Sequence, residues 1–314
     1  MSVLVDFFYY FLKFLGGIVF LTPPAVKSVG TYVLSQLIFY FLPFRKKIIL
    51  HNLALCFPRK PEESMSLYKK RCEKIARKNY QHYLLMILEI LERFHWTPET
   101  VFKRCESVNA ELLHRLTREK VGYFFLTSHL GNWELLTFYG VAQKVPLTII
   151  TRFLRSGLWD KIWVKSRKDF GLQLLNESGS GLSVIRAIRR EHRAVGFIMD
   201  QFTGLPHGIK HQFFGVPTWC PKGLAILSIK LDCPIVPAYM IRTKPGHFRV
   251  TIEDPLRFQK TQDHNTDDSE LLAHIGICNQ NMEQWIERYP DQYLWLHKRF
   301  KESIDYSGSL PWDS

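Results

Sequence analysis

The sequence has none of the short motifs that mark a metal-dependent or covalent enzyme. Its six cysteines lie far apart and form no Cys-x-x-Cys pair, which argues against a zinc ribbon or a disulfide framework. It also contains no His-Glu-x-x-His motif and no Gly-x-Ser-x-Gly elbow. A zinc hydrolase and a seryl-intermediate enzyme are therefore poor candidates. We expect no metal, no cofactor and buried thiols in a reducing compartment.

Acidic residues are scarce relative to basic ones. The chain has 29 Asp and Glu against 42 Lys and Arg, a net charge of +13. Such an excess favours an anionic partner: nucleic acid, anionic lipid or an acidic protein. The positive charge is spread along the chain, and neither a zinc finger nor an aromatic-basic RNA-binding pattern accompanies it, so we expect no nucleic-acid partner. His297, Lys298 and Arg299 are expected to form a basic surface edge.

No apolar run at the N-terminus reaches the length of about 20 residues that a spanning helix needs. Residues 7–22 are apolar except for Lys13, residues 29–42 form a second run, and two prolines separate them. The dense aromatic residues are typical of a membrane interface. A secretory signal is a poor match, because no basic segment precedes the first run and no cleavage site clearly follows it.

We therefore expect an uncleaved membrane anchor, either a short tilted span or an interfacial hairpin. A buried helical hairpin in the core of the protein is the alternative. The basic cluster at residues 45–47 favours a membrane surface and a cytoplasmic location for the part of the chain that follows.

Beyond residue 120, short apolar runs alternate with amphipathic stretches. The runs predict strands in VGYFFLTS, PLTIITR, LQLLN, AVGFIMDQ, PIVPAYMIR and HFRVTIED. This alternation predicts an α/β fold with a mostly parallel central sheet flanked by helices. We divide the chain into four parts, which are a hydrophobic anchor (1–44), a helical membrane-associated segment (45–118), an α/β core (119–304) and a C-terminal tail (305–314).

The stretch TSHLGNWELL places an ionisable pair at the end of a predicted strand. On one continuous helix, His129 and Glu134 would lie about 140° apart and would not meet. Gly131 permits a turn and Asn132 can cap a helix, so His129 would sit on the loop with Glu134 in the first helical turn. From there the carboxylate could turn back to the imidazole and make it a general base. A structural ion pair is the alternative, whereas a zinc site lacks a third ligand.

Other polar residues follow predicted strands, where ligands of α/β sheets bind. Arg152 could bind an anionic head group or an oxyanion, or could be a solvated arginine at a strand end. Asp200 and Gln201 could bind acceptor sugar or phosphate groups, or support His129; a turn or cap is the structural alternative. Lys222 could open a helix whose N-terminus binds phosphate.

These stretches together resemble the late acyltransferases of lipid A biosynthesis in Gram-negative bacteria, the lauroyl/myristoyl transferase family. SHLGNWE resembles the His-x4-Asp/Glu signature of that family. Further similar blocks follow in the family's order, namely TRFL, GFIMDQ, FFGVPTWCPKGLAILSIKLDCPIVPAY and PDQYLWLHKRFK. The apolar N-terminus and HNLALCFP also fit, so that the resemblance extends over nearly the whole chain.

The resemblance implies transfer of a fatty acyl chain from an acyl carrier protein thioester to a hydroxyl of a lipid A precursor. His129 would be the general base and Glu134 its orienting partner, without a covalent acyl-enzyme. The implied location is the inner membrane, with the catalytic domain on the cytoplasmic face. The candidate substrate-binding residues are Arg152, Asp200, Gln201, Asn132 and Lys222.

Two other functions remain open at this point. The first is acyl transfer to another acceptor, such as a glycolipid mannose or a lysophospholipid. The second is a non-catalytic membrane-surface binding protein that keeps an inherited fold. Retention of His129 and Glu134 speaks against the second. The length of the acyl chain would depend on the depth of an apolar channel.

Overall fold

The computed structural model describes residues 2–151, 157–176, 181–258 and 268–313. The chain begins with the helices α1 (Ser2–Leu21), α2 (Pro24–Phe41), α3 (Lys46–Cys56) and α4 (Met65–Glu92). Pro23 and Pro24 divide α1 from α2, because proline lacks an amide hydrogen and suits only the first turn of a helix. Ser64 caps α4 by accepting a hydrogen bond from the backbone N–H of Leu67 at 3.3 Å.

The remaining helices alternate with strands. They are α5 (Pro98–Arg104), α6 (Glu111–Arg118), α7 (Trp133–Ala142), α8 (Leu158–Asp169), α9 (Gly181–Arg189), α10 (Gly223–Leu231) and α11 (Asp268–Arg288). Two 3-10 turns lie at Arg93–His95 and Pro290–Gln292.

The strands form a seven-stranded sheet and a separate hairpin. The strands are β1 (Cys105–Val108), β2 (Tyr123–Thr127), β3 (Leu147–Thr151), β4 (Gln173–Asn176), β5 (Ala194–Ile198), β6 (Gly208–Phe213), β7 (Val216–Pro221), β8 (Ile235–Lys244) and β9 (His247–Ile252). The sheet order is β1-β9-β8-β2-β5-β3-β4. Its one antiparallel pair among the described strands is β8 with β9, which confirms the predicted, mostly parallel α/β sheet.

Helices cover both faces of the sheet, as the alternation along β2 shows. Phe124 and Leu126 belong to the apolar cluster under α3, α4, α10 and α11. Tyr123 and Phe125 belong to the cluster under α5, α6 and α7. Successive side chains of a strand point to opposite faces, so each central strand serves two cores and is apolar throughout.

Two parts of the structure were not predicted from the sequence. β1 pairs with β9, so the sheet begins ahead of residue 119, where the α/β core was expected to start. β6 and β7 form a hairpin closed by Phe214 and Gly215, both with positive φ. Such a turn normally carries Asn-Gly or Asp-Gly, and Phe-Gly gives no such signal.

The C-terminal tail packs on the helices that precede the sheet. The Tyr306 hydroxyl donates to Oδ1 of Asn52 at 2.6 Å. Trp312 lies edge-on to Tyr68 with ring centroids 5.3 Å apart. Five of the six cysteines are buried and all six are free thiols, as the sequence predicts.

Candidate active site

The site lies at the carboxyl ends of β2 and β5, two parallel neighbours. Thr127 at the end of β2 stands opposite Ile198 at the end of β5. The chain continues two residues beyond each strand, to His129 on one side and Asp200 on the other. Parallel strands present their carboxyl ends at one edge of the sheet, so the two side chains meet there.

A short hydrogen-bonded couple joins these residues. His129 Nδ1 lies 2.8 Å from Asp200 Oδ1, and the backbone N–H of His129 donates to Asp200 Oδ2 at 3.1 Å. A carboxylate can only accept, so Nδ1 carries the hydrogen and Nε2 keeps a free lone pair. The imidazole side chain is 17% exposed and that of Asp200 is 1% exposed. Gln201 places its Nε2 3.4 Å from His129 Nε2.

Asp200 is held in its charged form. Burial alone would raise the pKa of this carboxyl group. The charge of His129, the hydrogen bonds from His129 and the charge of Arg299 outweigh that effect and hold the pKa of Asp200 below its usual value. A buried anion against Nδ1 fixes the tautomer and stabilises the imidazolium when Nε2 takes a proton. The arrangement is that of a general base.

Glu134 has a different set of partners from those the sequence suggested. Its Oε1 lies 2.5 Å from Nη2 of Arg167, and its Oε2 lies 3.6 Å from Nη1 of Arg93. Among the described contacts none joins it to His129, whose Nδ1 is taken by Asp200. The reason is geometric: Glu134 lies on α7 toward α8 and the Arg93 turn, where two guanidinium groups draw the carboxylate away from the loop.

The loop between β2 and α7 is fixed by its own backbone and side chains. Gly131 has φ +61°, and a Cβ there would stand 1.7 Å from the carbonyl oxygen of Met240, so only glycine fits. Asn132 caps α7 by accepting from the N–H of Leu135 at 3.1 Å. Its Nδ2 donates to Glu89 at 2.8 Å. This confirms the predicted cap, and the amide of the buried Asn132 is hydrogen-bonded through both its oxygen and its nitrogen.

Three residues that the sequence analysis did not identify support this loop. They are His82 and Glu89 of α4 and Arg242 of β8. Arg242 Nε lies 2.5 Å from Glu89 Oε1, and Arg242 Nη1 lies 3.0 Å from His82 Nδ1. His82 Nε2 lies 3.2 Å from the carbonyl oxygen of Gly131. Burial and the charge of Arg242 hold the pKa of His82 well below its usual value, so His82 is neutral. Glu89 and His82 belong to an ordinary helical pattern, and no motif could have revealed them.

Residues 290–301, the stretch PDQYLWLHKRFK, hold the same loop from the opposite side. Leu294 N–H donates to the carbonyl oxygen of His129 at 3.0 Å, and Gly131 N–H donates to that of Gln292 at 2.8 Å. Arg299 is buried, contrary to the expected basic surface edge, and its Nη1 donates to the carbonyl oxygen of Trp219 at 2.6 Å. Buried there, its guanidinium supplies positive charge toward Asp200. Lys298 is exposed, as expected.

Of the remaining predicted residues that the structure describes, Gln201 joins the couple and Lys222 does not. Lys222 directly precedes α10, as predicted, and its backbone N–H donates to the carbonyl oxygen of His207 at 3.2 Å. No described contact brings its side chain to His129. Arg152 lies outside the described residues.

An apolar cavity opens beside the couple. Trp133 stands edge-on to the His129 ring with centroids 4.8 Å apart, and it lines the cavity together with Thr127, Glu134 and Arg167. The space between the wall atoms is about 680 Å³, part of it open to solvent. The rest of the wall is largely aliphatic and aromatic, including Leu113, Phe125, Leu136, Leu147, Ile149, Val250 and Ile252.

A histidine held by a buried carboxylate beside an apolar cavity has the geometry that general-base chemistry on an apolar substrate requires. Comparison with known proteins gives the family. The model of the bacterial lipid A biosynthesis acyltransferases matches residues 1–302. The chain belongs to this family and is an O-acyltransferase.

Relatives of this chain cover most of its length. It is 26% identical over 267 residues to the lipid A biosynthesis palmitoleoyltransferase of Escherichia coli K12, covering 83% of this chain and 80% of that protein. It is 26% identical over 318 residues to the lipid A biosynthesis lauroyltransferase of the same organism, covering 93% and 92%. A solved 1-acyl-sn-glycerophosphate acyltransferase from Thermotoga maritima aligns with a TM-score of 0.37 and 10% identity, covering 85% of this chain and 99% of that one.

Proposed function

We propose that this enzyme transfers a fatty acyl group from an acyl carrier protein thioester to a hydroxyl of a lipid A precursor. The observation that carries the proposal is the His129–Asp200 couple, next to an apolar cavity whose wall includes Trp133, the neighbour of the His129 ring. Membership of the lipid A acyltransferase family favours a lipid A precursor over other hydroxyl acceptors.

The proposed reaction is a direct transfer. His129 Nε2 takes the proton of the acceptor hydroxyl while the hydroxyl oxygen attacks the thioester carbonyl carbon. The tetrahedral intermediate collapses, the C–S bond breaks, and the leaving thiolate takes the proton back from the imidazolium. Asp200 stabilises that imidazolium in between. No residue of the enzyme is acylated, in keeping with a site built on an imidazole without a neighbouring activated serine or cysteine.

The acyl chain of the donor would occupy the cavity. Its wall from Leu113 to Ile252 is mostly apolar, and burying each CH2 group of a chain there contributes about 0.8 kcal/mol. Glu134 and Arg167 stand at the same wall, paired with each other. We assign Glu134 a positioning role, because its ion pair ties α7 to α8 beside the mouth of the cavity.

The charge of the chain suits the proposed partners. Acyl carrier proteins are acidic, lipid A precursors carry phosphates, and the inner leaflet is anionic. A net charge of +13 favours an encounter with each of them. We place the enzyme at the inner membrane with its catalytic domain on the cytoplasmic face, where acyl carrier protein is available.

The test is a transfer assay with the purified protein in vesicles, a tetraacylated lipid A precursor and a panel of acyl carrier protein thioesters. Wild type should form product. His129→Ala should lose activity by about 10²-fold or more, because general-base catalysis contributes about 10²–10⁴. His114→Ala, at an exposed position on α6, is the matched control and should keep full activity. Circular dichroism and vesicle binding should be unchanged in both variants.

The result would also separate the alternatives. Absence of product from wild type would move the acceptor to a glycolipid mannose or a lysophospholipid, which the next panel would offer. Undiminished biological function of His129→Ala in cells would contradict catalysis and favour a membrane-surface binding protein.

A further inference from the structure

The second half of α4 buries polar side chains on the face that packs toward the site. The polar stripe of α4 consists of Asn79, His82, Tyr83 and Glu89, all of which are buried. At about 100° per residue, these four side chains lie within about 120° of one another around the helix axis. Burying a polar group costs free energy unless the group is hydrogen-bonded. The partners of the polar stripe therefore indicate what it holds.

Two side chains of the polar stripe bind one peptide unit in residues 290–301. Asn79 Nδ2 and the Tyr83 hydroxyl each donate to the carbonyl oxygen of Tyr293 at 2.8 Å. The N–H of the same peptide unit belongs to Leu294 and donates to the carbonyl oxygen of His129 at 3.0 Å. Because a peptide unit is planar, its carbonyl end and its N–H end turn together. Two side chains of α4 therefore fix the direction of a hydrogen bond to His129.

The other two side chains of the polar stripe bind the loop directly. His82 Nε2 lies 3.2 Å from the carbonyl oxygen of Gly131. A carbonyl oxygen can only accept, so Nε2 carries the hydrogen, and Nδ1 accepts from Nη1 of Arg242 at 3.0 Å. Glu89 accepts from Nδ2 of Asn132 at 2.8 Å and from Nη2 of Arg242 at 2.7 Å. The polar stripe thus holds three of the four residues of the loop 129–132.

We propose that the polar stripe positions the catalytic base, by fixing the loop 129–132 and with it the place of the His129 imidazole. Asp200 sets the orientation of the ring, whereas the polar stripe sets the backbone that carries it. The role of His129 as the base rests on the proposed function; the fixing of the loop does not. None of the four side chains has to touch a substrate, so they are positioning residues.

Hydrogen bonds do here what apolar packing would not do. Apolar side chains of similar volume often replace a buried ion pair without loss of stability, so stability alone gives little reason for Glu89 and Arg242 to be charged. Hydrogen bonds are directional, and only they fix the orientation of the peptide groups of the loop. A displacement of about 1 Å at a catalytic group can lower the rate about 10²-fold, so precise placement of His129 has a large effect on turnover.

Two tyrosines of α4 separate positioning from stability. The Tyr83 hydroxyl donates to the carbonyl oxygen of Tyr293, whereas the Tyr80 hydroxyl donates to that of Phe44 at 2.6 Å. Both side chains are buried, at 8% and 5% exposed. Replacing either by phenylalanine removes one hydroxyl from the same helix and leaves one carbonyl oxygen without that partner. The two variants should lose similar stability, but only Tyr83 is linked to His129.

The first test measures the loop without reference to activity. Hydrogen–deuterium exchange is followed by mass spectrometry in peptides that span residues 128–132. Tyr83→Phe and His82→Leu should exchange at least about tenfold faster there than wild type, because each removes a buried hydrogen bond that holds the loop. Tyr80→Phe should exchange like wild type in this segment. Equal exchange in Tyr83→Phe and Tyr80→Phe would overturn the proposal.

The second test measures turnover in the transfer assay, at equal folded fraction. Tyr83→Phe and His82→Leu should lower kcat about tenfold or more with KM little changed, whereas Tyr80→Phe should keep the kcat of wild type. His82→Gln should recover most of the loss, because its amide nitrogen can donate to Gly131 as the imidazole does.

The outcomes keep the two proposals apart. If wild type forms product and Tyr80→Phe loses as much kcat as Tyr83→Phe, the polar stripe contributes stability alone and the positioning role is wrong. If wild type forms no product with any donor and acceptor, the proposed function fails, and the exchange in residues 128–132 still decides whether the polar stripe fixes the loop.

Discussion

Two carboxylates flank the loop that carries His129, and each has its own partners. Asp200 bonds the imidazole through Nδ1 and through the backbone N–H. Glu134 bonds Arg167 and lies near Arg93. The two carboxylates differ in role: the one on the imidazole fixes its tautomer, whereas the one between guanidinium groups neutralises buried charge.

Glu134→Ala tests the structural role of the second carboxylate. It would leave Arg93, whose side chain is 1% exposed, without its carboxylate. Breaking a buried pair by removing one partner costs about 3–5 kcal/mol, and we expect a loss of that order in the free energy of unfolding. Chemical unfolding checks it.

Glu106→Ala is the matched control for that loss. Glu106 pairs with Arg249 on the surface, with side chains 57% and 43% exposed. An exposed pair contributes only about 0–1 kcal/mol. If Glu134→Ala lost as little free energy of unfolding as Glu106→Ala, the ion pairs of Glu134 would not anchor α7.

His297 gives the protein a pH-dependent stability. Burial, together with the charge of Arg299, lowers its pKa to about 4. In the unfolded chain a histidine takes up its proton at about pH 6.5. Between about pH 6.5 and 4 the unfolded state therefore binds more protons, and stability falls as pH falls through this window.

His297→Gln removes that proton uptake. The variant should lose less thermal stability than wild type when the pH is lowered from 7 to 5. His114→Gln, at an exposed position, should follow wild type. If His297→Gln loses as much thermal stability as wild type, the imidazole of His297 is not held neutral in the wild-type protein.

Among the elements, β2, β5 and α7 define both the site and the cavity. β2 and β5 deliver His129 and Asp200, and α7 supplies the cavity wall with Trp133 and Gly140. A Cβ on Gly140 would stand 3.3 Å from Cδ2 of Leu147, another wall residue. The small residue therefore keeps this part of the cavity open.

Gly140→Leu should shorten the space for the acyl chain. We expect the preferred donor to shift to a shorter thioester, measured by mass spectrometry of products from a mixed panel of acyl carrier protein thioesters. Gly181→Leu is the matched control, since a Cβ there meets nothing within 4 Å. An unchanged product profile in Gly140→Leu would mean that the chain lies elsewhere.

The sequence predicted six of the strands, because their apolar runs differ clearly from the amphipathic helices between them. The sequence did not predict β1, since its residues CESV form no apolar run and only Cys105 among them is buried. The sequence did not predict the hairpin of β6 and β7, because its turn uses Phe214 and Gly215 in place of the usual Asn-Gly or Asp-Gly.

The sequence identified several residues of the site but not which of them contact each other. His129, Asn132 and Asp200 follow from strand ends and a capping pattern. The choice between Glu134 and Asp200 as partner of His129 depends on the pairing of β2 with β5, which spacing along the chain does not encode. The ion pairs of Glu134 and the network of Glu89 with Arg242 likewise join residues far apart in sequence.

At the scale of the whole molecule, exposed apolar side chains concentrate on α1 and α2, and the chain carries a net charge of +13. The positive charge suits the proposed acidic donor protein and phosphate-bearing acceptor. Arg45 and Lys47 at the end of this surface also donate to the carbonyl oxygens of Leu296 and Ser307. They join the start of α3 to the C-terminal part of the chain, which also holds the loop of His129.

The most direct measurement compares the turnover of Asp200→Asn and Glu134→Gln in the same transfer assay, at equal folded fraction. Asp200→Asn should lower kcat by about 10³–10⁴ with KM little changed, as expected when an aspartate beside a catalytic histidine is replaced by an amide. Glu134→Gln should lose far less. Near-normal turnover of Asp200→Asn, together with collapse in Glu134→Gln, would contradict the His129–Asp200 couple and return the orienting role to Glu134.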